Sequence, residues 1–323
     1  MIRVENIKKY FPIKGGFFNK KTGDVKAVEN VSFEIPEGEI LGLVGESGSG
    51  KSTLGRSLIR LIEPTNGKIF YNNKDITQFS DKEMRELRKD FQIIFQDPYA
   101  SLDPRKKIFD IISQGLSIHS SMSKNQVYEK VLEIINDVGL QEEHLSRYPH
   151  EFSGGQRQRI GIARALVLDP KFIIADEPVS ALDVTIQAQI LNLILELKKK
   201  YSLTILFISH DLSVINQIAD RVMVMYLGHI LEIAKTKNLF SNPKHPYTRS
   251  LIETAPQIFR ENMKKTLLKG DIPSPINPPS GCVFRTRCPN PTDGCENGSS
   301  KMGLVEAKPG HWVDQCCYEC NKT

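Results

Sequence analysis

Residues 45–52 read Gly45-Glu46-Ser47-Gly48-Ser49-Gly50-Lys51-Ser52. This stretch fits G-x-x-x-x-G-K-[ST], the pattern of a phosphate-binding P-loop. Residues 39–44 before it are mostly apolar and predict a short buried strand. After it, a helix is predicted by the helical spacing of Leu54, Leu58, Leu61 and Ile62. Glycines let backbone N–H groups point at phosphate oxygens, and the positive end of the helix dipole adds to the attraction. The stretch therefore predicts the strand, loop and helix that open an α/β fold of the P-loop NTPase type.

Side chains of the P-loop are candidate nucleotide ligands. Lys51 is predicted to reach the β- and γ-phosphates, and Ser52 is predicted to hold Mg²⁺. The alternative, a glycine-rich turn that binds nothing, is disfavoured because the motif has its strand before it and its helix after it. The candidate nucleotide-binding residues of this stretch are Gly45, Ser47, Gly48, Ser49, Gly50, Lys51, Ser52 and Thr53.

Length and composition limit the class of protein. The 323 residues exceed the usual size of one domain, so we expect one large domain with one or two appendages. The net charge is +5, and Lys and Arg are spread along the chain, which argues against nucleic acid as the main partner. No apolar run reaches the roughly 18 to 20 residues of a membrane span, and no signal-peptide pattern opens the chain. We expect a cytoplasmic protein that touches a membrane only through partners.

Strand patterns come before the P-loop. Residues 2–4, 25–28 and 31–35 predict strands, the last through alternation of apolar and polar side chains. The segment 12–23, rich in Gly, Lys and Phe, predicts a loop between them. Tyr10 and Phe11 stand just before this loop. From position alone, an aromatic ring there can stack on an adenine or pack in a strand.

Two motifs after the P-loop are candidates for ligand contact. A strand predicted over residues 91–95 ends at Gln96, and α/β sheets place ligand-binding groups at the carboxyl ends of strands. A glutamine there is also common as a hydrogen-bonding loop residue. Ser153-Gly154-Gly155-Gln156 precedes a predicted helix, with a serine as N-cap and two glycines that leave backbone N–H groups bare. It predicts a second anion site in the chain.

Two acidic residues follow a predicted buried strand at 172–175. One of Asp176 and Glu177 can hold Mg²⁺ and the other can polarise an attacking water, and phosphoryl transfer needs both roles. Acidic residues at strand ends are usually solvated and idle, but the P-loop upstream favours the functional interpretation. His210 ends another predicted strand, where a group that contacts a γ-phosphate would stand. A lone histidine is more often structural.

Together and in this order, the motifs make the chain resemble the ATPase subunit of an ATP-binding cassette transporter over residues 1 to about 235. The resemblance rests on the P-loop, Gln96, residues 153–156, Asp176-Glu177, residues 180–183 and His210. It implies a β-rich N-terminal subdomain, an inserted helical subdomain at about 98–165, and a small Cys-rich C-terminal extension over 236–323. It also implies that the chain binds ATP and Mg²⁺.

The resemblance implies a role for each catalytic candidate. Glu177 would polarise the attacking water, and His210 would contact the γ-phosphate. Gln96 would reach Mg²⁺ and the attacking water. Ser52 and Asp176 are the other expected Mg²⁺ ligands.

The resemblance also implies a dimer. Two such subunits face head to tail in the family, so Ser153, Gly154, Gly155 and Gln156 would bind the ATP held by the partner subunit's P-loop. Asp183 would couple the two sites. Family spacing favours Phe11 over Tyr10 as the ring that stacks on adenine. ATP would stabilise the closed dimer, and hydrolysis would remove that preference.

All six cysteines lie after residue 281, at Cys282, Cys288, Cys295, Cys316, Cys317 and Cys320. In a compartment that keeps thiols reduced, this segregation favours a metal over disulfides. The candidate ligands are Cys282, Cys288, Cys295 and one later cysteine, Cys316 or Cys317. A [4Fe–4S] cluster is the expected occupant, structural Zn²⁺ is the alternative, and disulfides or free thiols remain open.

The segment around 242–289 resembles the extension of dipeptide, oligopeptide and nickel importer ATPases. The expected function is therefore ATP hydrolysis that powers peptide import, with nickel as the rival substrate. Expected partners are two transmembrane permease subunits, a second identical or paralogous ATPase, and indirectly an extracytoplasmic substrate-binding protein. The chain would lie peripherally on the cytoplasmic face of the membrane. A soluble cassette ATPase acting on nucleic acid or ribosomes, or an iron–sulfur electron carrier, is a weaker alternative.

Overall fold

The computed structural model describes residues 1–15, 20–255, 270–297, 299 and 302–320. The strands are β1 (Ile2–Gly15), β2 (Lys20–Ile35), β3 (Ile40–Val44), β4 (Asn66–Tyr71), β5 (Lys74–Asp75), β6 (Phe91–Ile94), β7 (Phe172–Asp176), β8 (Thr204–Ser209), β9 (Arg221–Tyr226), β10 (His229–Lys235), β11 (Leu304–Lys308) and β12 (His311–Asp314). The helices are α1 (Lys51–Leu58), α2 (Asp81–Leu87), α3 (Ile108–His119), α4 (Lys124–Asp137), α5 (Gly154–Leu166), α6 (Val184–Tyr201), α7 (Leu212–Ile218), α8 (Thr236–Ser241), α9 (Pro246–Thr254), α10 (Asp293–Glu296) and α11 (Gln315–Cys320), with 3-10 turns at Glu142–Ser146 and Pro149–Glu151.

These elements group into two compact units. The P-loop unit comprises the described residues of Met1–Ile35, Ile40–Thr77 and Ser209–Thr323. The signature unit, named after residues 153–156, comprises Pro36–Glu39 and Gln78–Ile208. The boundary predicted near residue 235 is a division by sequence pattern and stays a prediction.

The strand, loop and helix predicted around the P-loop are confirmed. Strand β3 is buried along its whole length, and α1 begins at Lys51. The helical spacing also predicted Leu61 on the apolar stripe, and this is wrong, because α1 ends at Leu58 and Leu61 is 45% exposed. A Schellman motif ends the helix: Arg60 has a φ of 50°, and Leu61 N–H donates to Arg56 O at 2.9 Å.

A long hairpin replaces most of the loop predicted at 12–23. Strand β1 continues to Gly15 and β2 begins at Lys20, with Phe11 opposite Val25 and Ile13 opposite Gly23. Antiparallel pairing satisfies the backbone groups of this polar segment, so its Gly- and Lys-rich composition does not break the strands. Residues 16–19, also inside the predicted loop, lie outside the described part of the chain. In the P-loop unit these strands form a sheet in the order β2-β1-β4-β5.

A second sheet of the P-loop unit includes strands of the C-terminal extension. Its strands lie in the order β11-β12-β10-β9-β3, with β3 and β9 parallel. Strands β9 and β10 form a hairpin that turns at Leu227 and Gly228, which both have positive φ. Strand β12 pairs with β10, placing Val313 opposite Glu232. The extension therefore adds strands to the edge of this sheet, a feature that the cysteine spacing did not predict.

The signature unit combines parallel strands with the predicted helices. Strand β7 pairs in parallel with β6 and with β8. In helix α4 the buried residues Val131, Ile134 and Ile135 recur at helical spacing, and Ser123 caps the helix in a capping box with Gln126. The longest helix of the unit is α6, with 18 residues and three lysines in its last turn. Among the helices of the described residues, none combines the length and apolar character needed to cross a membrane.

Candidate nucleotide site

Two glycines of the P-loop are fixed by close packing in the P-loop unit. A Cβ atom on Gly45 would lie 2.1 Å from the carbonyl oxygen of Met225, and one on Gly50 would lie 2.0 Å from that of Ala27. Gly50 is also the N-cap of α1, with a φ of 104°. A side chain at either position would displace backbone, so the loop requires glycine there. The resulting backbone path leaves the N–H groups at the start of α1 available to an anion.

The ammonium of Lys51 lies under the P-loop. Lys51 is 5% exposed, and its Nζ donates to the carbonyl oxygens of Gly45 at 2.8 Å and Glu46 at 2.9 Å. Ser47 and Gly48 at the loop tip are exposed, and the other candidate positions from Ser49 to Thr53 are buried or half-buried. A buried cation and the N-terminus of α1 therefore lie together at this loop, which is an arrangement suited to phosphate.

His210 lies beside the P-loop. A cavity of about 370 Å³ is lined by Gly45, Glu46, His210 and Leu251, among others. His210 is exposed, and the next residue, Asp211, caps α7 by accepting from Ser213 N–H at 2.7 Å. The structure therefore brings the predicted histidine to the first residues of the P-loop.

The two aromatic candidates on β1 differ in their surroundings. The Tyr10 hydroxyl donates to the Glu29 carboxylate, and burial together with this bond raises the pKa of Tyr10. Phe11 is 37% exposed, and the Lys9 ammonium lies 5.0 Å from the centre of its ring. The ring of Phe11 is thus the one of the two that presents an accessible face.

In the signature unit, the acidic pair lies at the end of β7. Asp176 is 1% exposed, whereas Glu177 is half-buried and accepts a hydrogen bond from Gln96 Nε2 at 3.2 Å. Glu177 has a φ of 49°, which is uncommon for a residue other than glycine. Its N–H donates to Ile208 O at 3.0 Å, which holds this backbone in place. Such strained residues concentrate at functional sites.

The N-termini of α5 and α6 meet in the signature unit. Ser153 is the N-cap of α5, as predicted, and it also forms a capping box with Gln156. Asp183 caps α6 by accepting from Ile186 N–H at 3.0 Å. A Cβ on Gly155 would lie 2.5 Å from Ile186 Cγ2, so only glycine allows the two helix ends to approach this closely. The predicted signature residues and Asp183 therefore belong to one cluster.

Two residues without a predicted role, Tyr247 and Arg287, contact Glu46 at the start of the P-loop. The Arg287 guanidinium donates to both carboxylate oxygens of Glu46, at 2.6 and 3.0 Å. The Glu46 N–H donates to the hydroxyl of Tyr247 at 2.9 Å. Glu46 occupies a free position of the P-loop pattern, and Tyr247 and Arg287 lie within the segment 242–289, on which the resemblance of the extension rests. Sequence spacing carries no sign of these contacts.

The cysteines of the extension are only partly brought together. Cys295 and Cys316 are buried, with 3.3 Å between their sulfur atoms. Thiolates on one tetrahedral Zn²⁺ at a Zn–S distance of about 2.3 Å lie about 3.8 Å apart, so this pair is near that spacing. Cys282 is buried and Cys288 is half-buried. Within the described residues, no three His, Cys, Asp or Glu side chains are grouped to hold a metal ion. The described thiols therefore do not form a complete ligand set.

Two family models match the chain. The model described as ABC transporter matches residues 28–180. The model described as oligopeptide/dipeptide transporter, C-terminal region, matches residues 231–295. The first match spans the P-loop, Gln96, the signature residues and the acidic pair, and the second includes Tyr247 and Arg287.

Two proteins named for peptide transport match along almost the whole chain. The oligopeptide transport ATP-binding protein AppF of Bacillus subtilis is 51% identical over 317 residues, which cover 97% of this chain and 96% of AppF. The dipeptide transport ATP-binding protein DppF of Haemophilus influenzae is 50% identical over 307 residues, covering 94% of this chain and 92% of DppF. Among solved structures, the dimeric ATP-binding cassette MJ0796 bound to ADP and Pi is similar with a TM-score of 0.65 and 29% identity, covering 73% of this chain and 99% of that one.

Proposed function

Because the chain belongs to the ABC transporter ATPases that carry the oligopeptide/dipeptide C-terminal region, we propose that it hydrolyses ATP to power peptide import across the cytoplasmic membrane. The observation that carries the ATPase assignment is the buried Lys51 ammonium beneath a glycine-shaped loop at the start of α1. The peptide substrate is supported by the relatives' names and by the C-terminal region. Nickel remains the rival substrate.

The P-loop residues Gly45 and Ser47 to Thr53 would bind the phosphates of ATP. Glu177 would polarise the attacking water, and Gln96, which donates to it at 3.2 Å, would orient the same water. His210 would contact the γ-phosphate, in keeping with its place beside Gly45. Mg²⁺ would neutralise charge that develops on the phosphates, and its protein ligands would be Ser52, Gln96 and Asp176.

The signature residues would act on a second ATP. Ser153, Gly154, Gly155 and Gln156 would contact nucleotide held by a partner ATPase, which is either a second copy or a paralogue. Asp183 would couple the sites, and its cluster with Gly155 and Ile186 supports a shared movement of the α5 and α6 N-termini. Phe11, with its accessible ring face, would stack on adenine.

Partners and location follow from the proposed role. Two transmembrane permease subunits would bind the chain on the cytoplasmic face of the membrane, and an extracytoplasmic binding protein would deliver substrate to them. An open groove of about 730 Å³ on the signature unit supports such docking, because Phe109, Tyr128 and Leu145 are among the residues that line it. The domain division proposed for this role is 1–235 and 236–323, with the helical subdomain at about 98–165.

Transport assays test the proposed substrate. In proteoliposomes that contain the chain with its permease and ATPase partners, we expect ATP-dependent uptake of a radiolabelled oligopeptide, delivered by the cognate binding protein. We expect no uptake of ⁶³Ni²⁺ in the same vesicles, because the C-terminal region matches the oligopeptide/dipeptide model and the relatives AppF and DppF are named for peptide transport. Nickel uptake without peptide uptake would contradict the peptide assignment. ATPase activity that requires DNA or RNA would contradict the importer role.

We further propose that Cys282, Cys288, Cys295 and Cys316 bind a [4Fe–4S] cluster, with structural Zn²⁺ as the alternative. Their number and their restriction to the extension support this proposal, whereas the described thiols are grouped only as the pair Cys295 and Cys316. Protein purified without oxygen should contain about four irons and four acid-labile sulfides per chain, with broad visible absorption.

Matched serine variants identify the fourth ligand. Cys316→Ser should lower the iron content and Cys317→Ser should not, because Cys316 lies against Cys295. A content of one zinc and no acid-labile sulfide per chain would show that the site holds a structural zinc ion and not a cluster. Protein without iron, sulfide or zinc would contradict both proposals.

A further inference from the structure

The C-terminal extension reaches the P-loop through one ion pair. Arg287 donates from both terminal nitrogens to the two carboxylate oxygens of Glu46, at 2.6 and 3.0 Å. The Arg287 side chain is 7% exposed and that of Glu46 is 26% exposed. Bidentate guanidinium–carboxylate pairs are strong and geometrically specific, and little water screens this one. The hydrogen bond to Glu46 raises the pKa of Arg287, so the guanidinium keeps its charge at neutral pH.

A rigid aromatic cluster supports the same contact. The rings of Tyr226, Tyr247 and Phe284 pack with centroids 4.8 to 5.6 Å apart, and all three are at most 1% exposed. Phe284 and Arg287 belong to one turn, because the Arg287 N–H donates to Phe284 O at 2.9 Å. Tyr247 accepts from the Glu46 N–H at 2.9 Å. The extension therefore fixes both the backbone and the side chain of Glu46.

Glu46 connects this contact to the phosphate-binding group. Its carbonyl oxygen accepts from Lys51 Nζ at 2.9 Å, so the position of Glu46 helps to set the position of the ammonium. Its carboxylate is also a negative charge within a loop that would bind phosphates. Like charges repel, and without Arg287 this carboxylate would oppose nucleotide binding. The guanidinium thus has two effects on the loop, orientation and neutralisation.

We propose that Arg287 is a positioning residue of the nucleotide site, which neutralises Glu46 and holds the start of the P-loop in the form that binds ATP. This inference rests on the proposed ATP site. It adds that Arg287, a residue of the C-terminal extension, helps to set the affinity of the P-loop for ATP. Arg287 acts through Glu46 and does not touch the nucleotide.

A charge-removal series in the full chain tests this role. Binding of a non-hydrolysable ATP analogue is measured by calorimetry for wild type, Arg287→Gln, Glu46→Gln and the double variant, at low and high salt. Arg287→Gln should weaken binding about tenfold at low salt, within the range for residues coupled in one network. The loss should shrink at high salt, because salt screens the repulsion by the unpaired Glu46. The double variant should regain most of the affinity, because it removes that charge.

The controls separate positioning from folding. Arg285→Gln removes a guanidinium from the same turn, one that lies 3.4 Å from the Ser280 hydroxyl, and should leave affinity unchanged. Circular dichroism and the melting temperature verify that each variant folds. If Arg287→Gln does not fold, Arg287→Lys replaces it, since Lys keeps the charge and loses the bidentate geometry. We expect it to bind several-fold more weakly than wild type at both salt concentrations.

Three results would overturn the proposal. The first is that Arg287→Gln, or Arg287→Lys if it is used instead, binds the analogue within twofold of wild type. The second is that the double variant binds no better than Arg287→Gln. The third is that Arg285→Gln weakens binding as much as Arg287→Gln does. A wrong assignment of the ATP site itself would give different results from these three. If wild type does not bind the analogue, or if Lys51→Ala binds it like wild type, the ATP site itself is misplaced.

Discussion

Glu177→Gln should lower the rate of ATP hydrolysis by about 100-fold or more, the range for loss of a general base, and leave ATP binding intact. The amide cannot accept a proton from water, but its oxygen can still accept the hydrogen bond that Gln96 donates at 3.2 Å. The substitution keeps the size of the side chain, so the positive φ of residue 177 and its bond to Ile208 should persist. ATP that is bound and not hydrolysed should hold two subunits together.

Analytical ultracentrifugation with ATP measures this outcome directly. We expect the Glu177→Gln chain to sediment as a dimer with ATP and as a smaller species without it. Glu196→Gln is the matched control, since Glu196 is an exposed carboxylate of the same unit, on α6. It should hydrolyse ATP at the wild-type rate. A Glu177→Gln chain that stays monomeric with ATP and hydrolyses it normally would show that another group polarises the water.

Lys51→Ala should weaken ATP binding by about 100-fold or more, because hydrogen bonds to a charged group contribute about 1.5 to 3 kcal/mol each and Lys51 would make them to two phosphates. Lys51 also donates to the carbonyl oxygens of Gly45 and Glu46, so the alanine removes a contact that shapes the loop. Both effects act in the same direction.

Equilibrium binding of a fluorescent ATP analogue is the measurement for Lys51→Ala. Lys74→Ala removes an exposed lysine of the same unit and should bind the analogue like wild type. Lys51→Met, which keeps an apolar chain of similar length, should lose affinity as Lys51→Ala does if the charge is what matters. Wild-type affinity in either Lys51 variant would place the phosphate site elsewhere.

Features set by neighbours in sequence could be predicted. The start of α1 at Lys51 follows from the P-loop glycines, and the capping boxes of α4 and α5 follow from Ser123 and Ser153 with a glutamine three residues on. The carboxyl-end placement of Gln96 and Glu177 also follows from strand patterns, and their hydrogen bond in the signature unit agrees with it. Each of these features depends on residues that are close together in the chain, so it can be predicted from a single sequence.

Features set by distant partners could not be predicted. The hairpin of β1 and β2 extends through a segment whose composition indicates a loop, because cross-strand pairing outweighs local propensity there. Strand β12 is held between β10 and β11, and its short sequence alone gives no strand signal. Glu46, Tyr247 and Arg287 carry no local pattern either. Their roles depend on the tertiary contact between the P-loop and the extension.

The contact between Glu46 and Arg287 can form only late in protein synthesis relative to the P-loop, because the two residues are 241 positions apart in the chain. Protein synthesis at about 5 to 20 residues per second makes Arg287 roughly 10 to 50 s after Glu46. A nascent chain thus has its P-loop well before it has the guanidinium that neutralises it. A nascent chain should therefore bind ATP poorly until Arg287 has been made and has paired with Glu46.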